Sequence, residues 1–248
     1  RTRQEFLAGV SIAALTLWVG SSSVAAQNAG GDTLRLDEVV ISSDKAEGTT
    51  VYDSPSTVTV RTDKEIDRQI INSPRDLVRD EPGVSIGSQP TRTGSTNYVI
   101  RGIGDNRVRV EIDGVKVPDF PVTNLGAGTY TRDFVDFDSL KRVEIIRGPA
   151  SALYGSDAIG GVVSFVTKDP ADYLKMVGKD WFVSEKAGFD TADRSFVSTS
   201  TGAGRVGNWE SMALYTHRRG HELTPNTSLA ANPQNYRTDN GLAKIVYN

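Results

Sequence analysis

The alternation of apolar and polar residues changes character along the chain. Residues 6–20 form one apolar run, with Arg1 and Arg3 before it and Ser21-Ser22-Ser23-Val24-Ala25-Ala26 after it. A basic start, an apolar segment too short for the ~20 residues of a membrane-spanning helix, and small residues at Val24 and Ala26 predict a secretory signal over 1–26. Residues 27–33 are polar and glycine-bearing, 34–43 form a β-prone strip (Leu-Arg-Leu-Asp-Glu-Val-Val-Ile-Ser-Ser), and 44–50 are polar again. Such a strip either opens the next domain or adds itself as a strand to another protein's sheet edge. Both readings stay open on composition.

Residues 51–174 mix two periods and predict one α+β domain. A strand is expected over 56–60. Thr62 or Asp63 caps a helix running to about Ile70, and Ser73-Pro74 opens a second that ends near Asp80, ahead of Glu81-Pro82-Gly83. Residues 98–101 read as a strand and 107–117 as a hairpin turning at Asp113-Gly114, a pair that tolerates positive φ at both corners. Residues 138–147 read as a short helix running into a strand. A Gly-rich turn from Gly155 leads into the apolar strand 162–166.

Beyond residue 175 the period becomes 2. Segments 181–189, 195–201, 209–217 and 241–247 alternate faces, with short turns at 190–193 and 204–208 and a longer polar loop over 222–235. Short turns at one end, longer loops at the other and aromatics at strand ends suit the wall of an outer-membrane barrel; a soluble antiparallel sandwich shares the period. Mean hydropathy is −0.33, which excludes a helical membrane bundle and is silent on a barrel.

Composition removes several chemistries. There is no Cys, hence no disulfide, thiolate metal site or cysteine nucleophile, and only two His are present. With 28 basic and 31 acidic residues, net −3, the chain is poorly suited to nucleic acid. The run 147–156 lacks the Gly-Lys-Ser/Thr ending of a phosphate loop, and no Gly-x-Ser-x-Gly elbow accompanies Ser156, Asp157 and His217. Asp133, Asp136 and Asp138 do not match the ligand spacing of a calcium loop and read as loop residues or caps. Nothing argues for an enzyme. Arg101 and Arg147 each sit between a strand and a Gly, where they are either surface charge or partners of acidic groups on a surrounding wall.

Three runs carry a family resemblance. Val99-Ile100-Arg101-Gly102, Val110-Glu111-Ile112-Asp113-Gly114-Val115, and residues 140–163, with Gly148, Pro149, Tyr154, Gly155, Gly160 and Gly161 in order, resemble the plug domain of TonB-dependent outer-membrane receptors. Asp37, Glu38, Val39, Val40, Ile41 and Ser42 then look like the TonB box (37–43). Residues 100–108, 132–138 and 163–172 look most like the heme/hemoglobin receptor branch.

The resemblance implies an α+β plug (51–174), a flexible segment with the TonB box (27–50), and the first antiparallel strands of a transmembrane β-barrel (175–248). Four strands cannot close a barrel of about 22, so the chain is expected to be the N-terminal part of a longer receptor. It further implies an outer-membrane location in a Gram-negative bacterium, with plug and TonB box facing the periplasm. The implied partners are TonB with ExbB/ExbD, and heme or hemoglobin, or else a ferric siderophore, as cargo; no covalent cofactor is implied. Arg101 and Arg147 resemble plug arginines that lock onto barrel glutamates. Loops 87–96 and 118–131 are the expected substrate loops, with Arg92, Phe120 and Tyr130 as candidates. Tyr130, His217 and His221 are weak candidates for heme iron. A soluble periplasmic module without transport is the competing class, and the strand block after 176 argues against it. A receptor that signals to gene regulation would need a folded domain before the TonB box, for which 27–36 is too short.

Overall fold

Two strand segments, the half-charged 140–147 and the apolar 161–167, lie side by side within the main sheet. The computed structural model describes residues 57–88, 94–119, 135–223, 228 and 232–248, all within one unit that begins at Glu38. The segments 1–26 and 37–43 and the candidates Arg92, Phe120 and Tyr130 lie outside the described residues.

The α+β part runs β1 (Thr57–Thr62), α1 (Asp63–Arg68), α2 (Pro74–Leu77), β2 (Val84–Ser88), β3 (Ser95–Ile100), β4 (Val108–Ile112), β5 (Val115–Lys116), β6 (Leu140–Arg147), α3 (Ser151–Tyr154), β7 (Gly161–Thr167) and α4 (Pro170–Val177). A five-stranded sheet has the order β1-β6-β7-β4-β5, antiparallel except for β4 beside β7, and β2-β3 form a separate ribbon. The helix starts follow from their caps. Thr62 accepts from the Glu65 N–H while the Glu65 carboxylate accepts from the Thr62 N–H, and Ser73 Oγ accepts from the Asp76 N–H ahead of Pro74.

Several boundaries move from their sequence expectations. The expected helix at 138 is a single 3-10 turn, Phe137–Ser139, before β6. The second helix stops at Leu77 rather than near Asp80. The expected loop 87–96 is framed by strand on both sides, since β2 runs to Ser88 and β3 starts at Ser95. Helix α4 was not anticipated. It spans the expected domain boundary at 174/175, capped by Asp169 and Asp172 and stopped by Gly178 in the left-handed region.

The two faces of the main sheet differ. Val108, Val110, Val143, Ile145, Val163 and Phe165 point to one side and pack with Ile66, Leu77, Val84 and Ile100 as the main core. The opposite face is half apolar and half charged. Ile146 and Val162 pack with Ala150, Tyr154 and Ala158, whereas Glu111, Ser164 and Glu144 lie in one cross-strand row. There Arg109 pairs with Glu111 at 3.0 Å and Arg142 with Glu144 at 2.7 Å, which keeps the buried carboxylates satisfied.

Strands β8 (Trp181–Asp190), β9 (Ser195–Val206), β10 (Trp209–His221) and β11 (Asn235–Tyr247) form an antiparallel meander. They are longer than expected: β9 continues to Val206, so the turn is only Gly207-Asn208, and β11 starts at Asn235 rather than Gly241. Burial alternates along β10, with Glu210, Met212, Leu214 and Thr216 buried and Trp209, Ser211, Ala213 and Tyr215 exposed. The sheet stays open among the described residues.

Candidate functional site

The inner face of the four-stranded sheet is occupied by α4. Tyr173 packs with Met212, Leu214, Phe182, Ala203 and Leu242, its ring 5.1 Å from that of Phe182. Burial in this contact raises the Tyr173 phenol well above its ordinary value. The two parts are also clasped by charge. Lys244 on β11 donates to Asp169 Oδ1 at 3.0 Å and the Thr167 carbonyl at 3.3 Å, with Asp113 Oδ2 at 3.7 Å. Lys186 on β8 reaches Asp67 at 3.2 Å and also Asp138. Thr199 on β9 donates to Asp138 Oδ2 at 2.8 Å. Asp136, two residues away, is held with a raised carboxyl pKa by burial first and by the Asp138 charge second. In this clasp the cations stand on the strand wall and the carboxylates on the α+β domain.

Arg147 has a carboxylate within its own domain. Its Nη1 lies 3.2 Å from Glu81 Oε1 and donates to the Pro82 carbonyl at 3.0 Å, while Nη2 donates to Thr59 Oγ1. Glu81, buried, also accepts from Thr59 Oγ1 at 2.7 Å and Arg61 Nη2 at 3.3 Å. The cluster pins the edge strand β1 to the α2–β2 connection. Arg101 differs. It is exposed, with φ 51°, and with Gly102 (φ 82°) it forms the tight turn after β3, closed by reciprocal Ile100–Ile103 backbone bonds. Among the described residues its guanidinium has no ion-pair partner.

The Gly-rich run owes its composition to close approach. A side chain at Gly161 (φ 150°) would collide with the Ile146 carbonyl and one at Gly160 with Ile103, so β6, β7 and the Ile100–Ile103 turn meet only because both positions lack Cβ. The Gly148 N–H donates to Gly160 O and the Ala150 N–H to Ala158 O, closing a loop over Pro149, α3 with Tyr154, and Gly155. Asp113 and Gly114 take φ 47° and 80° as the hairpin requires. Asp113 does more than turn the chain: its carboxylate accepts from the Thr167 N–H at 2.8 Å and Thr167 Oγ1 at 2.6 Å. On the neighbouring hairpin strand, Lys116 lies 2.8 Å from Asp119 and 2.6 Å from Asp157; its pKa is raised by those two hydrogen bonds and that of Asp157 is lowered by Lys116.

His217 and His221 both lie on the face of β10 opposite α4. His217 Nδ1 is 2.7 Å from Asp239 Oδ1, which also accepts from Tyr215 Oη at 2.6 Å. No group of three or more His, Asp or Glu side chains suited to a metal occurs among the described residues. No helix among them is long and apolar enough to cross a membrane, which says nothing of strands. The features that sequence reasoning missed, Glu81, Lys186 and Lys244, are single charged residues without a local motif.

A compact α+β domain pinned by a helix to an antiparallel strand wall defines a class. Residues 50–162 match the family model of the TonB-dependent Receptor Plug Domain, and the chain belongs to the TonB-dependent receptor family, its four-stranded sheet corresponding to strands of the receptor barrel. Among curated relatives, the "Probable hemoglobin and hemoglobin-haptoglobin-binding protein 4" of Haemophilus influenzae is 38% identical over 173 residues, covering 66% of this chain and 17% of its own length. The hemoglobin and hemoglobin-haptoglobin-binding protein of Haemophilus ducreyi is 32% identical over 221 residues, 86% of this chain and 22% of its own length. The chain therefore spans about a fifth of the relatives it matches. Among solved structures, the Serratia marcescens hemophore receptor HasR, in complex with its hemophore HasA and heme, superposes with TM-score 0.64 at 25% identity, over 80% of this chain and 30% of that one. The FrpB iron transporter from Neisseria meningitidis shares the fold with TM-score 0.62 at 21% identity, over 76% of this chain and 28% of that one.

Proposed function

We propose that this chain supplies the plug and first wall strands of an outer-membrane receptor that takes up heme, with hemoglobin as its source. The observation that carries the reading is α4 seated on the inner face of the β8–β11 wall, with Lys244 and Lys186 holding plug carboxylates; relatives named for hemoglobin binding supply the cargo class. Asp37 to Ser42 act as the TonB box, released toward the periplasm and pairing as a strand with TonB, whose ExbB/ExbD complex supplies the energy. Arg101, with no carboxylate of its own among the described residues, is the plug arginine suited to a barrel glutamate, whereas Arg147 is engaged by Glu81. Arg92, Phe120 and Tyr130 belong to the loops that meet cargo. The test is binding by the purified full-length receptor. Hemin and hemoglobin are expected to bind; binding of a ferric siderophore with no binding of hemin sinks the heme assignment and leaves the siderophore reading.

A further inference from the structure

The outward face of β8–β11 carries side chains that holding a plug does not require. Phe189, Phe196, Arg219 and Arg237 lie directly across from one another on four consecutive strands. They occupy the face opposite α4, where Phe189 is 66% and Phe196 44% exposed. Arg194, at the β8–β9 turn, joins them around a cavity of about 510 Å³.

The charges on this ledge are not balanced from within. Like charges directly opposite on neighbouring strands destabilise a sheet, yet Arg219 and Arg237 hold that register. Asp239 accepts from Arg237 Nε at 2.7 Å but is also engaged by Tyr215 and His217, and Glu222 is taken by Arg194 at 3.3 Å. Arg219 has no carboxylate partner among the described residues. Height matters too. From the Trp209–Tyr247 ring pair, 4.9 Å apart at the other end of the strands, β10 rises ~33 Å to Arg219 at ~3.3 Å per residue. With the usual tilt of about 40° this is ~25 Å of vertical height, that of a barrel's apolar band between its aromatic girdles. On the reading of β8–β11 as a membrane wall, the arginine row stands at the height of one headgroup layer, just above the His217–Asp239 pair on the same face.

We propose that this ledge binds the phosphate-bearing headgroup of a membrane lipid, the guanidinium groups holding phosphate bidentately and the two Phe rings covering the adjacent apolar part. The proposal rests on the reading of β8–β11 as a membrane wall. The full-length receptor is placed in phosphatidylcholine nanodiscs carrying a bisphosphorylated, acylated glucosamine disaccharide, and retained lipid is counted by native mass spectrometry. Wild type is expected to keep this lipid in preference to its dephosphorylated form. Arg219→Gln with Arg237→Gln is expected to keep at least about tenfold less, from two lost charge-assisted contacts, and the corresponding double Lys variant an intermediate amount. Equal retention by wild type and the Gln variant overturns the proposal, as does displacement of the lipid by inorganic phosphate at matched concentration, which marks a free-anion site. Heat-modifiable migration in gels reports the barrel separately: its absence in wild type overturns the wall reading itself, while its presence without lipid retention overturns only the ledge.

Discussion

Arg147 stands where β6 meets Gly148, a position from which a guanidinium projects either outward or back across the sheet. It turns back, because Glu81 lies within reach together with the Thr59 hydroxyl and the Pro82 carbonyl. Glu81 then balances two cations at once, and both Arg61 Nε and Arg147 Nε are buried without a hydrogen-bond partner. Loss of its charge leaves those guanidinium groups facing each other uncompensated. Glu81→Gln is expected to cost about 3–5 kcal/mol, read as a lowered urea midpoint of the chain. Arg79→Ala, at an exposed i,i+3 pair with Asp76, is expected to cost no more than about 1 kcal/mol. A Glu81→Gln loss as small as that of Arg79→Ala would show that the cluster does not hold β1.

At the scale of elements, the β4–β5 hairpin is fastened to the Gly155–Ala158 turn by Lys116 and Asp157, 2.6 Å apart. Asp157 has a lowered pKa, so its contribution is present above its ordinary value of 3.8 and is lost as pH falls through the lower folded value. Lys116 has a raised one, so its contribution is present below 10.5 and is lost as pH rises through the higher folded value. Asp157→Asn is therefore expected to lower stability slightly near neutrality and to flatten the acid limb by that same small amount, because the half-exposed pair is screened by solvent. An unchanged acid limb in thermal melts counts against the pair.

Local chemistry made these elements legible in advance. The Thr62 and Ser73-Pro74 caps, the Asp113-Gly114 turn and the alternation along 209–217 each act within a few residues, and each reappears in the structure. Helix α4 escaped because its eight residues are flanked by Asp169-Pro170 and Gly178, which read equally well as loop punctuation. The clasp escaped for a different reason. Lys244 and Asp169 are 75 positions apart, and only the register of β8–β11 against α4 brings them together. The same holds for Glu81, in the α2–β2 connection, and Arg147, at the end of β6, which meet beside Thr59 of β1 only in the folded domain.

For the whole molecule, the uptake proposed above would require the segment before β1 to transmit a pull. Val40→Pro removes a ladder N–H from the strip proposed to pair with TonB. It is expected to abolish energised uptake while leaving surface binding of cargo unchanged, measured as internalised against bound hemin. Uptake at the wild-type rate moves the TonB-contacting strip elsewhere. β1 is the first described element after that segment, and among the described residues it is an edge strand, bonded along one side, to β6.

The opposite end of the plug is on a short leash. Between the last residue of α4, Val177, and the first of β8, Trp181, stand only Gly178, Lys179 and Asp180. The four backbone steps from Val177 to Trp181 cover about 14 Å at full stretch. The helix therefore cannot travel farther than that from the wall without unravelling itself or peeling β8 from β9. A domain tethered this closely along one flank can pivot about that flank as a rigid body but cannot lift away from it.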